Sequence, residues 1–335
     1  MKLLFELSKE HSTLPTDEVL SCLEAEGVRY NCIDSNENAL AISANIGCDK
    51  IKRLSERLSL TFSIDELLFS CLPSVDEIKK HAETTEVSDK GTLAVRYRNR
   101  SEKVDSQPIV EALAEVYTKD RPVDLTNPDS EIRVLITDPK VYVGLKKAEV
   151  DRKGFEKRKV QYRPFFSPVS LHPKIARTLV NLSCVKKNEK LLDPFCGTGG
   201  ILLEAGFIGA NVIGSDVEEK MIEGCRETLD FYGVKRYELF CSDVGEITDF
   251  VSEVDAVVTD LPYGKSTTTR GEDIEALYNR AFENLEKVLK RGGKAVVGLS
   301  ESGMMHLGEE YLYLLKSYEF KVHRSLTRYF GVFKK

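Results

Sequence analysis

The 335-residue sequence has no apolar run long enough for a membrane span, and its N-terminus lacks a secretory hydrophobic segment. Membrane and secretory readings are set aside, and a cytoplasmic protein is expected. The eight cysteines form no CxxC and show no Cys/His ligand spacing. They stand singly, mostly among apolar neighbours, as in Leu239-Phe-Cys241. Reduced core thiols are expected, with no disulfide framework and no metal site. The one glycine-rich strand-to-helix turn, at 197–200, is not a GxGxxG dinucleotide fingerprint and carries no Gly-Lys-Ser/Thr to cradle phosphates. Internal repeats and low-complexity tracts are also missing.

What is present is an ordinary globular composition, 41% apolar and 30% charged, enough for real cores. The length suggests two or three domains. The net charge of −6 argues against a generally basic nucleic-acid coat, but its distribution is uneven. Residues 1–90 carry 10 basic and 17 acidic side chains, residues 91–168 carry 16 and 12, and residues 169–335 carry 22 and 25. Only the middle is net positive. Its densest part holds Lys146, Lys147, Arg152, Lys153, Lys157, Arg158, Lys159 and Arg163 against Glu149, Asp151 and Glu156. Such a run is either a solvated face or a contact to phosphates, which gives affinity without sequence information and a steep salt dependence.

The chain is organised around Leu191-Leu-Asp-Pro-Phe-Cys-Gly-Thr-Gly-Gly-Ile-Leu-Leu-Glu204. Leu191 and Leu192 suit a strand covered on both faces. Gly197, Gly199 and Gly200 permit a tight turn close to a ligand, and a helix follows. In open parallel sheets ligands bind at the C-terminal ends of the strands, where this turn would lie. Two further strand signals end in acids. Asn211-Val-Ile-Gly-Ser-Asp216 ends where a carboxylate can accept ribose hydroxyls or cap the helix expected from Val217. Leu239-Phe-Cys-Ser-Asp243 repeats the pattern. A fourth strand, Asp255-Ala-Val-Val-Thr-Asp260, leads into Leu261-Pro262-Tyr263-Gly264.

Asp193-Pro-Phe-Cys-Gly-Thr-Gly-Gly200 resembles the first motif of seven-strand S-adenosylmethionine (SAM) dependent methyltransferases. The resemblance implies that Asp193 faces the methionine end of SAM. It also implies that the turn of Phe195, Cys196, Gly197, Thr198, Gly199 and Gly200 passes beneath the cofactor. Asp216 and Val217 would then serve the ribose side, Asp243 the adenine amine and Val244 its ring. Asp260-Leu-Pro-Tyr263 resembles the Asp/Asn-Pro-Pro-Tyr/Phe motif of methyltransferases acting on exocyclic amines. Leu261 replaces the first proline, as in the guanine-N2 subgroup that carries a THUMP domain. A planar guanine amine is a poor nucleophile. The Asp260 carboxylate and the Leu261 carbonyl would hold its hydrogens and favour pyramidalisation, and Asp260 could take the released proton. Tyr263 offers a ring for an extruded base, and Pro262 stiffens the turn.

Upstream, residues 1–72 show a β-α-β-β-α-β order that fits a ferredoxin-like domain. Residues 73–147 resemble a THUMP domain, with Val123-Asp-Leu-Thr-Asn-Pro-Asp129 followed by a hairpin around Asp138-Pro-Lys. Arg96 and Arg98 share one face of an expected strand there. Residues 148–168 read as a basic linker and 169–335 as the α/β methyltransferase domain. His172, before a helix opened by Pro173, reads as a capping or packing residue without a chemical role. Residues 265–271 read as a polar loop beside the pocket.

The whole chain resembles the archaeal-type THUMP-containing tRNA (guanosine-10 N2) methyltransferases. That implies SAM as cofactor, tRNA as partner, and a THUMP domain that holds the acceptor end and measures the distance to the target. It also implies a small zinc-binding activator subunit at the open edge strand running from Tyr237 to Ser242. Three alternatives stay open at this level: another tRNA position or rRNA, a dinucleotide oxidoreductase, and a catalytically silent RNA-binding protein. Thiouridine synthesis lacks its ATP-binding signature.

Overall fold

The computed structural model describes residues 1–87, 90–166, 170–263, 271–323 and 326–335. The expected polar loop at 265–271 falls almost wholly outside the described residues. The chain divides into two compact units. The first comprises Met1–Thr16, Gly27–Glu56 and Leu60–Val150; the second comprises Asp17–Glu26, Arg57–Ser59 and Asp151–Lys335.

The first unit begins with β1 (Lys2–Leu7), α1 (Leu14–Ala25, most of which clusters with the second unit), β2 (Tyr30–Asn36), β3 (Ala39–Ala44), α2 (Cys48–Arg57) and β4 (Thr61–Cys71). It continues with α3 (Val75–Thr84), β5 (Leu93–Asn99), α4 (Ser106–Tyr117), β6 (Ser130–Ile136) and β7 (Val141–Glu149). The ferredoxin-like element order is present, but the break drawn at 72/73 is not a break in the sheet. All seven strands form one sheet, ordered β2-β3-β1-β4-β7-β6-β5. The long β4 pairs with β7 from Ser63↔Glu149 to Cys71↔Val141. Its apolar residues make this possible: Leu67 packs with Leu4, Leu135 and Tyr142, across the expected boundary. Beneath the THUMP strands, Ile78, Ile109, Leu113, Ile132 and Val143 form a separate core.

The second unit holds α5 (Arg152–Lys157), α6 (Pro173–Leu182), β8 (Lys190–Asp193), α7 (Gly200–Phe207), β9 (Asn211–Asp216), α8 (Glu219–Phe231) and β10 (Tyr237–Cys241). After these come α9 (Ile247–Phe250), β11 (Val254–Asp260), α10 (Ile274–Val288), β12 (Leu289–Leu299), α11 (Met305–Glu309), β13 (Tyr313–His323) and β14 (Leu326–Lys334). Its sheet order is β10-β9-β8-β11-β12-β14-β13. The first five strands run parallel, and β14 is antiparallel to both its neighbours. The chain order reverses between β8 and β11, so the switch point where doubly wound sheets bind ligands lies between these two strands.

Two helices show why the sequence folds this way. Asp273 caps α10, its carboxylate accepting from the Glu275 and Ala276 N–H groups. The apolar face of α10 then buries Leu277, Phe282 and Leu285 on the sheet, with Phe282 edge-on to Phe333 at 5.1 Å. Burying one such side chain contributes about 1.5–3 kcal/mol. Pro173 opens α6, and His172 Nδ1 accepts from the Lys174 N–H at 3.2 Å, the expected capping role.

β12 is long because it continues through Arg291-Gly-Gly, which forms a bulge within the strand: the partner of β11 jumps from Leu289 to Lys294, and Gly292 has φ +82°.

Candidate active site

Four carboxylates mark the C-terminal edge of four adjacent strands: Asp243 just beyond β10, Asp216 on β9, Asp193 on β8 and Asp260 on β11. Such an edge suits ligand groups that donate hydrogen bonds or carry positive charge, such as an ammonium, a sulfonium, ribose hydroxyls or an exocyclic amine. It repels phosphates. The donor and acceptor set therefore fits SAM and disfavours a dinucleotide.

The glycine turn is built from its neighbours. Gly199 sits at φ +79°, and any Cβ there would strike the Cys225 sulfur of α8. Gly197 has φ +49° and open space where a Cβ would be, as a turn passing beneath a ligand requires. Its N–H donates to Asp216 Oδ2 at 3.0 Å, while Asp216 Oδ1 accepts from the Glu218 N–H at 3.0 Å. Asp216 thus shapes the turn and the start of α8 at once. The helix itself starts at Glu219, not Val217. Phe195 is half-buried against the core, and Val217 is half-buried. Cys196, Thr198 and Val244 are buried. Cys196 packs against Gly214 and Cys225, so its thiol is directed into protein.

Asp193 is only 1% exposed. Its Oδ1 accepts from the Thr259 hydroxyl at 2.7 Å and from the Phe195 N–H at 3.2 Å. Burial pushes its carboxyl up to about 7. Thr259 immediately precedes Asp260, so one hydroxyl ties the cofactor motif to the amine motif.

Asp260 lies in a tight frame. Tyr263 donates its hydroxyl to Oδ1 at 2.5 Å, and the Arg328 guanidinium stands 3.1 Å from Oδ2. A Cβ on Gly298, its register partner on β12, would overlap the Asp260 carboxylate. Burial raises the Asp260 carboxyl above its ordinary range, while Arg328 and the Tyr263 hydrogen bond pull it down. The Leu261 N–H donates to Gly298 O at 3.0 Å and its side chain is buried, which fixes the peptide whose carbonyl is the expected second acceptor. Pro262 O accepts from the Tyr278 hydroxyl of α10 at 2.9 Å. The Arg328 guanidinium stands over the Tyr263 ring, 5.5 Å from its centroid.

Some expected roles change. The Asp243 carboxylate accepts from the Gly245 N–H at 2.7 Å and pairs with Arg280, which also holds Glu272 at 2.6 Å. These contacts cap a turn and anchor α10. Among the basic side chains, Arg163 is buried against Gly200, and Arg158 grips the fully buried Glu204 at 2.9 Å together with Arg177 at 2.8 Å. Both are part of the second unit's fabric and do not project to solvent. Arg98 pairs with buried Glu6 at 2.8 Å, and Arg96 pairs with Glu131 at 3.3 Å. Lys146 binds Glu149, Lys147 binds Glu66 and Lys159 binds Glu156. Arg152 is half-buried, and Lys153 and Lys157 are exposed.

Sequence reasoning missed Thr259, Gly298, Tyr278, Arg280 and Arg328. The available signal was a charge, Arg328, inside the apolar strand ending Tyr-Phe-Gly-Val-Phe333. Among the described residues no cluster of His, Cys, Asp or Glu could hold a metal ion, and no helix is long and apolar enough to cross a membrane.

Residues 160–329 match the RMKL-like methyltransferase domain family, and residues 74–146 match the THUMP domain. A tRNA (guanine(10)-N2)-dimethyltransferase of Methanothermobacter thermautotrophicus is 34% identical over 340 residues, covering 100% of both chains. One from Pyrococcus abyssi is 36% identical over 72% of this chain and 74% of its own. The crystal structure of TrmN from Thermus thermophilus shares the fold, with a TM-score of 0.60, 21% identity and 100% coverage of both chains. With the SAM-type turn, the Asp-Leu-Pro-Tyr corner and the THUMP strands in one polypeptide, the chain belongs to the archaeal-type THUMP-containing tRNA (guanine-10 N2) methyltransferase family.

Proposed function

We propose that this methyltransferase modifies the exocyclic N2 of guanosine 10 in tRNA, in two successive transfers. The observation that carries the reading is Asp260-Leu-Pro-Tyr263 at the end of β11, bonded through Thr259 to the acid that opens the glycine turn.

Bound SAM supplies an electrophilic methyl group on a sulfonium. Everything else falls to the chain. A carboxylate has about four lone-pair sites, so Asp260 can keep Tyr263 and Arg328 and still accept an amine hydrogen. The Leu261 carbonyl would take the second hydrogen. Held this way, the amine nitrogen turns its lone pair out of the ring plane and along the line of transfer. Orientation of this kind carries much of the rate enhancement in a two-substrate reaction. The proton lost after methyl transfer passes to Asp260, directly or through water. The names of the relatives favour dimethylation.

The test is mass spectrometry of digested tRNA after reaction. Dimethylguanosine at position 10, absent from a guanosine-10 variant, supports the reading. Modification at another position, or of rRNA alone, overturns it. The THUMP part is proposed to hold the acceptor end of the tRNA, and full activity on a tRNA truncated there would refute this. Lys153 and Lys157 are proposed phosphate contacts. The edge strand β10 is proposed to receive a small strand-adding activator subunit. Full activity of the isolated chain, unchanged by any such subunit, would remove that partner. A cytoplasmic location follows from the tRNA substrate and is checked by fractionation.

A further inference from the structure

Arg328 belongs to none of the motifs that identify this enzyme. It stands on β14, the antiparallel neighbour of β12, in a segment where Tyr329 pairs with Leu299 and Phe330 pairs with Gly298. It is 6% exposed. Its Nη1 lies 3.1 Å from Asp260 Oδ2, its guanidinium lies over the Tyr263 ring, and its Nε is buried without a hydrogen-bond partner among the described residues. A guanidinium is costly to bury unless its partner requires it. Here the partner is the carboxylate at the centre of the proposed chemistry.

We propose that Arg328 is the positioning residue of the methyl-acceptor site, holding Asp260 as an oriented carboxylate whose remaining lone pairs are kept for the nucleotide's exocyclic amine.

The groups facing Asp260 make the case. Asp193 from β8 is acidic and disfavours a second negative charge nearby. Tyr263 from the same turn and Tyr278 from α10 are phenols, both pushed upward by burial, so they remain neutral donors. Arg328 from β14 is the cation in this set. A protonated Asp260 would turn one acceptor oxygen into a donor and could no longer collect two amine hydrogens with Leu261. Arg328 also reaches the carboxylate from a separate element, since β14 lies beyond β12 in the sheet. A carboxylate held by two donors from separate elements keeps its orientation when the substrate arrives. One held by Tyr263 alone would swing with the turn.

The inference rests on Asp260 accepting the amine, and its test separates the two ideas. Arg328→Met and Arg328→Lys are prepared in the full chain. Each is assayed for S-adenosylhomocysteine binding by calorimetry, tRNA binding by anisotropy, and single-turnover methyl transfer from pH 5.5 to 9. Arg328→Met should bind both ligands within about twofold of wild type, while its rate at pH 7 falls on the order of a hundredfold. The acid limb of its rate profile should move up by about one unit or more, the size expected for loss of an opposite charge beside a carboxylate. Arg328→Lys should recover part of the rate, and added guanidinium salt should partly rescue Arg328→Met.

A wild-type rate and profile in Arg328→Met overturns the proposal. So does a slow variant whose acid limb stays in place and which neither lysine nor guanidinium rescues. Should Arg328→Met fail to fold, carboxyl-labelled aspartate NMR on wild type and Arg328→Gln, which keeps a donor and loses the charge, decides: the Asp260 titration must rise in the variant, and an unmoved midpoint sinks the idea. That titration needs no tRNA. If wild type transfers no methyl to guanosine, the proposed function fails while the hold of Arg328 on Asp260 is still measured.

Discussion

Each of the two sheets buries a carboxylate that burial pushes up to about 7: Asp65 in the first and Asp193 in the second. Asp65 lies on β4, within an antiparallel stretch, 2% exposed, accepting from the Ser63 hydroxyl at 3.1 Å and flanked by Arg133. Asp193 ends a parallel strand beside the point where strand order reverses, and the chain turns there through glycines. The perturbation is the same and the consequence differs. A raised carboxyl marks burial; only its place at the open end of parallel strands makes it part of a site.

The sharpest way to break this comparison is to exchange the acids for amides. Asp260→Asn, at the same sheet edge as Asp193, should lower the single-turnover rate on the order of 10²–10⁴-fold, the range for a positioned acid–base group. S-Adenosylhomocysteine affinity should barely move. Asp65→Asn should leave both untouched. Equal damage from the two substitutions would mean that the sheet edge has no special standing.

Asp193→Asn tests the other half of the site. An amide oxygen can still accept from both Thr259 and Phe195, but it offers no negative charge to a cationic cofactor. Hydrogen bonds to charged groups are worth about 1.5–3 kcal/mol. Calorimetry should therefore show cofactor binding weakened on the order of 10–100-fold. Unchanged binding would detach Asp193 from the cofactor.

The stability effect is smaller and its sign is definite. The folded Asp65 carboxyl binds its proton up to about pH 7, whereas the unfolded one releases it near its ordinary value of 3.8. Between those limits the native state holds more protons than the unfolded state, so stability falls as pH rises. Asp65→Asn removes this slope. The variant should gain on wild type across pH 4–7 and level off above pH 7. Denaturant titrations at pH 5 and pH 8 check it. A gain that is the same at both pH values would show that Asp65 is already ionised in the folded protein.

These contrasts also mark what the sequence could reveal. Asp193, Asp216 and Asp260 were legible because each closes an apolar run, and a strand followed by an acid and a turn is a local pattern. The ferredoxin-like order was legible for the same reason. The joining of β4 to β7 was not, because pairing across some eighty residues leaves no periodic trace in either strand. Arg328 and Gly298 reach Asp260 only through the β11–β12–β14 order, which is set by packing, not by neighbours in sequence. The Asp243–Arg280 pair was hidden likewise. An acid after a strand looks the same whether it is open to a ligand or engaged by an arginine from the next helix.

The smallest expected effect concerns the basic residues, where the two units again diverge. Arg96 and Arg98 on β5 are spent on Glu131 and Glu6, so alanine at either position takes one partner from an acid of the first sheet. Removing Arg98 leaves Glu6 to Arg100 and Arg133. Such variants should lose stability and leave the salt dependence of tRNA binding alone. Lys153 and Lys157, exposed on α5, have the opposite profile. Each phosphate contact contributes a slope of about 0.7–0.9 to the decline of log affinity with log salt. The Lys153→Ala, Lys157→Ala double variant should flatten that slope by roughly 1.4–1.8 and weaken tRNA binding several-fold at moderate salt, with an unchanged melting curve. Anisotropy titrations over a salt series distinguish the two classes. A flattened slope from Arg98→Ala, with none from the lysine pair, would move the RNA contact from the second unit to the first.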